Sequence, residues 1–142
     1  MDSKTKHIKT LDLDFGDFEL YTDVIIGRIK EGIHFNLELN NMLADAVISY
    51  YGENYKLGYI SIRENSYSID PMVHLHNTKH NDLCCISIVE TKAQGMSSVP
   101  LESKFFKPGK LKSFPNKEEA LLWTHKELLD CFNGSVPNHR MN

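Results

Sequence analysis

The stretch DLCCISIVE, Asp82 to Glu90, is apolar from Leu83 to Val89 except at Ser87. A strand with one wet face alternates apolar and polar residues, so a run apolar on both faces calls for cover on both sides. That is the pattern of a strand inside a sheet with helices on each face. Upstream, KLGYISIRE (Lys56–Glu64) is a second strand pattern, and downstream KLKSFP (Lys110–Pro115) is a short third one.

The segments between these strands carry helix signals. Asp70-Pro71 reads as an N-cap followed by proline at the first helical position, which predicts a short helix from Pro71 to about Asn77. SSVPLESKFF (Ser97–Phe106) offers another start at Pro100, with Phe105 and Phe106 expected to pin its end to the core. Asn116-Lys-Glu-Glu119 is close to a capping box, and the helix it opens runs through ALLWTHKELLDCF until Gly134 and Pro137 stop it. Toward the N-terminus, FNLELNNMLADAVISYYG places Leu39, Met42, Leu43, Ala46, Val47 and Tyr50 at spacings of three and four, capped by Asn36 and stopped by Gly52. Before it, HIKTLDLDFGDFELYT and VIIGRIKEG alternate like strands, with turns expected at Gly16-Asp17 and at Tyr21-Thr22-Asp23.

The predicted order is two strands, helix, strand, short helix, strand, helix, strand, helix. Alternation in the second half implies parallel strands with right-handed crossovers, and the opening hairpin is antiparallel. The fold class is therefore α/β, a mixed sheet with about four helices. A length of 142 residues suits one domain, with a core from about 8 to 133 and flexible tails.

Composition narrows the function classes. With 41% hydrophobic and 25% charged residues and a net charge of −3, the chain has no basic surplus for nucleic acid. MDSKTKHIKT at the N-terminus lacks an apolar h-region, and no segment approaches the roughly 18 to 20 apolar residues of a membrane span. A cytoplasmic protein without membrane insertion is expected. Cys84, Cys85 and Cys131 lack Cys-x-x-Cys spacing, and two of them lie in the apolar strand, so they are expected to be buried free thiols of a reducing compartment.

Candidate sites are few. RENSYSIDP (Arg63–Pro71) clusters Asn65, Ser66, Tyr67, Ser68 and Asp70 at the carboxyl end of a strand, where open α/β sheets place their ligands. The same residues also suit a plain strand-to-helix turn, with Asp70 as the cap. In HLHNTKH, His74 and His76 would point roughly 200° apart on a helix, so His74, His76 and His80 cannot share a face, and no metal or other cofactor is expected. Lys104, Lys107, Lys110 and Lys112 surround two phenylalanines, and such lysines commonly cover apolar edges. No Gly-rich phosphate loop, Ser-His-Asp order or paired carboxylate motif stands out.

NSYSIDP after the middle strand, together with FFKPGKLKSFPNKEEALLW (Phe105–Trp123), resembles the SpoIIAA-like proteins, which are related in fold to STAS domains and to CRAL-TRIO lipid-binding domains. The resemblance runs from about Leu11 to Leu129 and is nearest to small stand-alone bacterial members of unassigned function. It implies a SpoIIAA-like (STAS-like) fold for the whole chain. In anti-sigma-factor antagonists of this fold, a serine at the start of the helix after the third strand is phosphorylated; Ser66 and Ser68 fall in the comparable place. Their Asp-Ser-Ser-Gly motif is replaced here by Asn65-Ser-Tyr-Ser-Ile-Asp70.

The resulting expectation is a non-enzymatic regulatory or protein-interaction module. Its recognition loop is Asn65–Asp70, with Ser66, Tyr67 and Ser68 facing outward toward a protein partner or a second copy in a homodimer. The alternative is a small-ligand or lipid carrier holding an apolar ligand in a pocket between helices and sheet.

Overall fold

Alternation along the first strands brings Leu11, Phe18 and Leu20 to one face, and that face becomes the floor of the larger core. The computed structural model describes residues 6–53, 55–79, 83–91 and 97–135. Strands β1 (His7–Leu13), β2 (Gly16–Tyr21) and β3 (Val24–Ile29) form an antiparallel meander. The N-terminal unit therefore has three strands, one more than the expected pair. The first turn lies at Asp14-Phe15, two residues before the expected position, and Phe15 is only 2% exposed there. Gly16 serves close approach instead: a Cβ there would stand 2.7 Å from the Arg28 carbonyl oxygen on β3.

After a two-residue strand β4 (His34–Phe35), helix α1 spans Leu37–Tyr51. Its ends are those expected: the Asn36 side chain accepts from the Leu39 N–H at 3.0 Å, and Gly52 takes a positive φ of 79° past the last turn. Parallel strands β5 (Leu57–Ile62), β7 (Leu83–Val89) and β8 (Leu111–Phe114) complete a six-stranded mixed sheet in the order β1-β2-β3-β5-β7-β8. Two short helices, α2 (Met72–Asn77) and α3 (Val99–Glu102), precede β7 and β8, and a 3-10 turn covers Ser103–Phe105. Helix α4 (Lys117–Ser135) follows, with Asn116 accepting from the Glu119 N–H at 2.9 Å. It continues through Gly134 instead of ending there, and Pro137 lies outside the described residues.

A minor sheet escaped the sequence reading. Ser68–Ile69 form β6, which pairs in parallel with β4 through His34↔Ser68 and Phe35↔Ile69. Two residues per strand are too few for periodicity to register.

The two faces of the main sheet are covered differently. Helix α4 packs on one, against Val24, Ile26, Ile60 and Cys84. Its approach is close because β5 has Gly58 beneath it, where a Cβ would sit 2.4 Å from the Thr124 methyl. Ser87 and Thr124 share a 2.6 Å hydrogen bond in this fully buried layer. Helices α1, α2 and α3 cover the opposite face.

The thiol expectation fails for two of three cysteines. Cys84 on β7 is disulfide-bonded to Cys131 on α4, with Cα atoms 6.2 Å apart, and only Cys85 is free and buried. The reason is a β-bulge: one step on β5, Leu57 to Gly58, spans two on β7, Leu83 to Cys85, so Cys84 and Cys85 both reach the α4 side. Strict alternation would have placed one of them on the other face. The reducing-compartment reading loses the support of those two thiols. Among the described residues, no helix is long and apolar enough to cross a membrane.

The disulfide closes a loop of 47 residues in sequence separation. Alkylation of the unreduced, denatured protein should label one cysteine, Cys85, as read by peptide mass spectrometry. Cys131→Ser should lower stability by about 2–4 kcal/mol in urea titrations; labelling at all three positions would contradict the pairing.

Candidate functional site

Period-two geometry on β5 sends Leu57, Tyr59 and Ser61 to the face under α1 and α2, and Arg63 continues that line just past the strand end. Polar residues at alternate positions of a buried strand need partners, and a lone acid supplies the main one. Glu102, at the end of α3, is 1% exposed. Arg63 grips its carboxylate in a fork, Nη1 donating to Oε2 at 2.6 Å and Nη2 to Oε1 at 2.7 Å. His74 of α2 donates from Nε2 to Oε1 at 2.8 Å, and the Ser98 hydroxyl donates to Oε2 at 2.5 Å. Because a carboxylate only accepts, this geometry requires the His74 proton on Nε2. His74 Nδ1 is buried with no hydrogen-bond partner among the described residues.

Burial alone would push the Glu102 carboxyl up, but the hydrogen bonds from Arg63, His74 and Ser98 outweigh it and hold it down at about 2. Burial likewise works against the Arg63 charge, yet the same carboxylate keeps that guanidinium above its ordinary value. Arg63 also donates from Nε to the Tyr67 hydroxyl at 3.1 Å, and that hydroxyl lies 3.1 Å from Ser61 Oγ.

This network closes one side of a cavity of about 180 Å³ between the sheet and helices α1 and α2. Its walls are mainly apolar, with Ile25, Leu43, Val47, Leu57, Val73 and Ile86 prominent. Asn40 of α1 and Asn77 of α2, joined at 3.0 Å, add a neutral polar pair. Helix α1 is only partly engaged with the core beside this space. Of its expected apolar face, Leu43 is buried, but Met42 and Tyr50 point out at 50% and 42% exposure. Ala44 and Ile48, both exposed, line the cavity on the α1 side.

The expected recognition loop is laced down. Asn65 donates from Nδ2 to the Ile29 carbonyl at 3.0 Å, and Asp70 accepts the Met72 N–H at 3.0 Å, the capping role foreseen for it. Gly32, Ser68 and Asp70 tie the segment to residues 32–35 through backbone bonds. Tyr67, expected to face outward, turns inward to Ser61 and Arg63 and lines the cavity; its ring also lies under the Arg63 guanidinium. Ser66 and Ser68 are exposed, with Ser68 Oγ 2.7 Å from His34 Nδ1.

His74 and His76 both line the cavity, His74 buried on Glu102, and His80 lies outside the described residues. Cys85 is covered by α4, where burial pushes its thiol up to about 12. Lys107 donates to the Leu83 carbonyl at 2.8 Å, Lys110 pairs with Glu127, and Lys112 lies over Trp123.

Sequence reasoning missed Glu102 and Arg63. The alternation Tyr59, Ser61, Arg63 was a readable signal, since polar residues on one face of a covered strand demand partners.

Together these features define a mixed α/β domain with a partly open cavity bordered by a buried ion-pair network. No family model and no curated protein matches the chain. Among solved structures, it is similar to an uncharacterized protein from the DUF3478 family with a SpoIIAA-like fold from Shewanella loihica PV-4. The two are 12% identical with a TM-score of 0.47, over 87% of this chain and 98% of that one.

Two outcomes are expected of this network. A carboxyl held below its ordinary 4.5 stabilises the fold fully above that value and loses the contribution as pH falls toward about 2. Unfolding free energies from urea titrations should therefore drop between about pH 6 and about pH 2.5, by a total on the order of 3 kcal/mol. Glu102→Gln should flatten that part of the profile.

The second concerns the loop. Tyr67→Phe should cost about 1 kcal/mol and Tyr67→Ala more, whereas Ser66→Ala should change stability by less than about 0.5 kcal/mol. Thermal unfolding of the three variants checks the order, and a neutral Tyr67→Ala would show that its inward contacts contribute little.

Proposed function

We propose that this protein binds a small, mostly apolar molecule in the cavity between α1, α2 and the sheet, and does so without chemistry on it. The observation that carries the reading is the cavity itself, about 180 Å³ of largely apolar space between two helices and the sheet. Concave apolar sites with a few placed polar groups are the usual form of small-molecule sites. An apolar cavity of about 150 Å³ takes benzene, so the volume suits a single substituted ring or a medium-length chain, smaller than the usual drug-sized ligand.

A non-catalytic role is supported by the state of the reactive groups. The free thiol of Cys85 sits on the α4 face of the sheet, away from the cavity, and Glu102 is occupied by three donors. A regulatory or protein-interaction role for the Asn65–Asp70 loop has less behind it, because only Ser66 and Ser68 of its candidate residues turn their side chains to solvent.

n-Butylbenzene should raise the unfolding temperature of the wild type in a concentration-dependent way, since a ligand that binds only the folded state adds RT ln(1 + [L]/Kd). Ala44→Trp places an indole at an exposed cavity-lining position of α1 and should abolish that shift while leaving the apo unfolding temperature nearly unchanged. Absence of any shift in the wild type, or a shift that survives Ala44→Trp, would overturn the reading.

A further inference from the structure

The charges around the cavity are already matched, and that bears on what it can accept. Of the side chains lining it, Arg63 is the one that carries a permanent charge, and both of its terminal nitrogens are held by Glu102 at 2.6 and 2.7 Å. Glu102 belongs to α3 and completes the pair from behind. Fork-on-fork pairing leaves the Arg63–Glu102 unit with no net charge, while its members satisfy each other's strongest hydrogen-bonding demands. The remaining polar groups at the cavity include the neutral Tyr59, Ser61 and Tyr67 hydroxyls and the neutral Asn40–Asn77 amide pair, together with His74, whose Nε2 is held by Glu102 and whose Nδ1 has no partner among the described residues. Burial pushes the Tyr59 hydroxyl further from ionising.

We infer, on the basis of the small-ligand reading above, that the cavity selects an uncharged amphiphile: an apolar ring or chain bearing a hydroxyl, phenol or carbonyl, in preference to the corresponding carboxylate or ammonium ion. A carboxylate head brought to Arg63 meets a guanidinium already spent on Glu102 and lies close to that second carboxylate. An ammonium head meets Arg63 itself. Either ion loses its hydration without gaining an unmatched counter-charge, and a buried unpaired ion is strongly disfavoured. A hydroxyl or carbonyl loses little hydration by comparison and can exchange hydrogen bonds with hydroxyl and amide groups that also donate and accept. Two imidazoles, His74 and His76, also line the cavity, so the comparison belongs at a pH above the ordinary range of histidine.

The test compares three molecules of equal chain length: 1-octanol, sodium octanoate and octylammonium chloride. Each is titrated into the full chain at about pH 7.5, where imidazole is mostly neutral, in competition with n-butylbenzene by ligand-observed NMR. Octanol should displace the hydrocarbon at least about tenfold more effectively than either ion. Octanoate or octylammonium binding as tightly as octanol would overturn the selectivity while leaving the cavity reading intact. Failure of octanol and n-butylbenzene alike would overturn both. Glu102→Gln supplies a second arm: with the Arg63 charge no longer matched, octanoate should gain at least about tenfold relative to octanol. An unchanged ratio in a folded Glu102→Gln protein would count against the inference, and if that variant does not fold, the wild-type comparison decides alone.

Discussion

A single buried carboxylate organises the cavity side of the molecule. Glu102 stands at the end of α3, yet its donors come from the end of β5 (Arg63), from α2 (His74) and from the approach to α3 (Ser98). Each of these segments is short and would not hold its place by propensity alone; α2 has six residues and α3 has four. The carboxylate gives them a common anchor, and the fork geometry of Arg63 fixes its angle as well as its distance. Breaking one side of such a pair leaves an uncompensated buried charge, at a typical cost of about 3–5 kcal/mol. Tyr67 extends the same network into the loop before β6, so the floor of the cavity and the loop above it are hydrogen-bonded to each other.

The two faces of the sheet serve opposite ends. On one, glycine at position 58, the Ser87–Thr124 hydrogen bond and the Cys84–Cys131 disulfide bring α4 down hard onto β5 and β7. On the other, the bulky Tyr59 fills the space over Gly27, where a Cβ would come within 2.3 Å of its hydroxyl, and α1 rests on the core through Leu43 with partial help from Leu39, Ala46 and Val47. A helix held at that distance over β3 and β5 leaves room beneath it. Rigidity on the α4 side and open volume on the α1 side belong together, because a cavity survives only where the surrounding frame resists collapse into it.

The proposed ligand binding draws on that asymmetry more than on the Asn65–Asp70 loop. Asn65 and Asp70 shape the turn, Tyr67 belongs to the cavity, and of the serines Ser68 stands on β6, paired with β4, with Ser66 just before it. A matched ion pair beside an otherwise apolar space accepts neutral polar groups more readily than ions. The inferred selectivity therefore rests on what Arg63 already holds.

Local pattern determined much of this protein. The caps at Asn36, Asp70 and Asn116, the stop at Gly52, the covered strand Leu83–Val89 and the parallel second half were all legible, because each depends on neighbours within a few residues or on simple periodicity. Other features were decided only in three dimensions. Gly16 looked like a turn residue but answers to the Arg28 backbone, and the bulge that turns Cys84 toward Cys131 is a matter of register between strands. The polar alternation Tyr59, Ser61, Arg63 signals that partners are needed, but which distant residue answers, here Glu102, leaves no mark in composition or spacing. The height of α1 above the sheet, and with it the cavity, depends on how Tyr59, Leu43 and Val73 meet, which is a property of packed volumes and not of any one segment of chain.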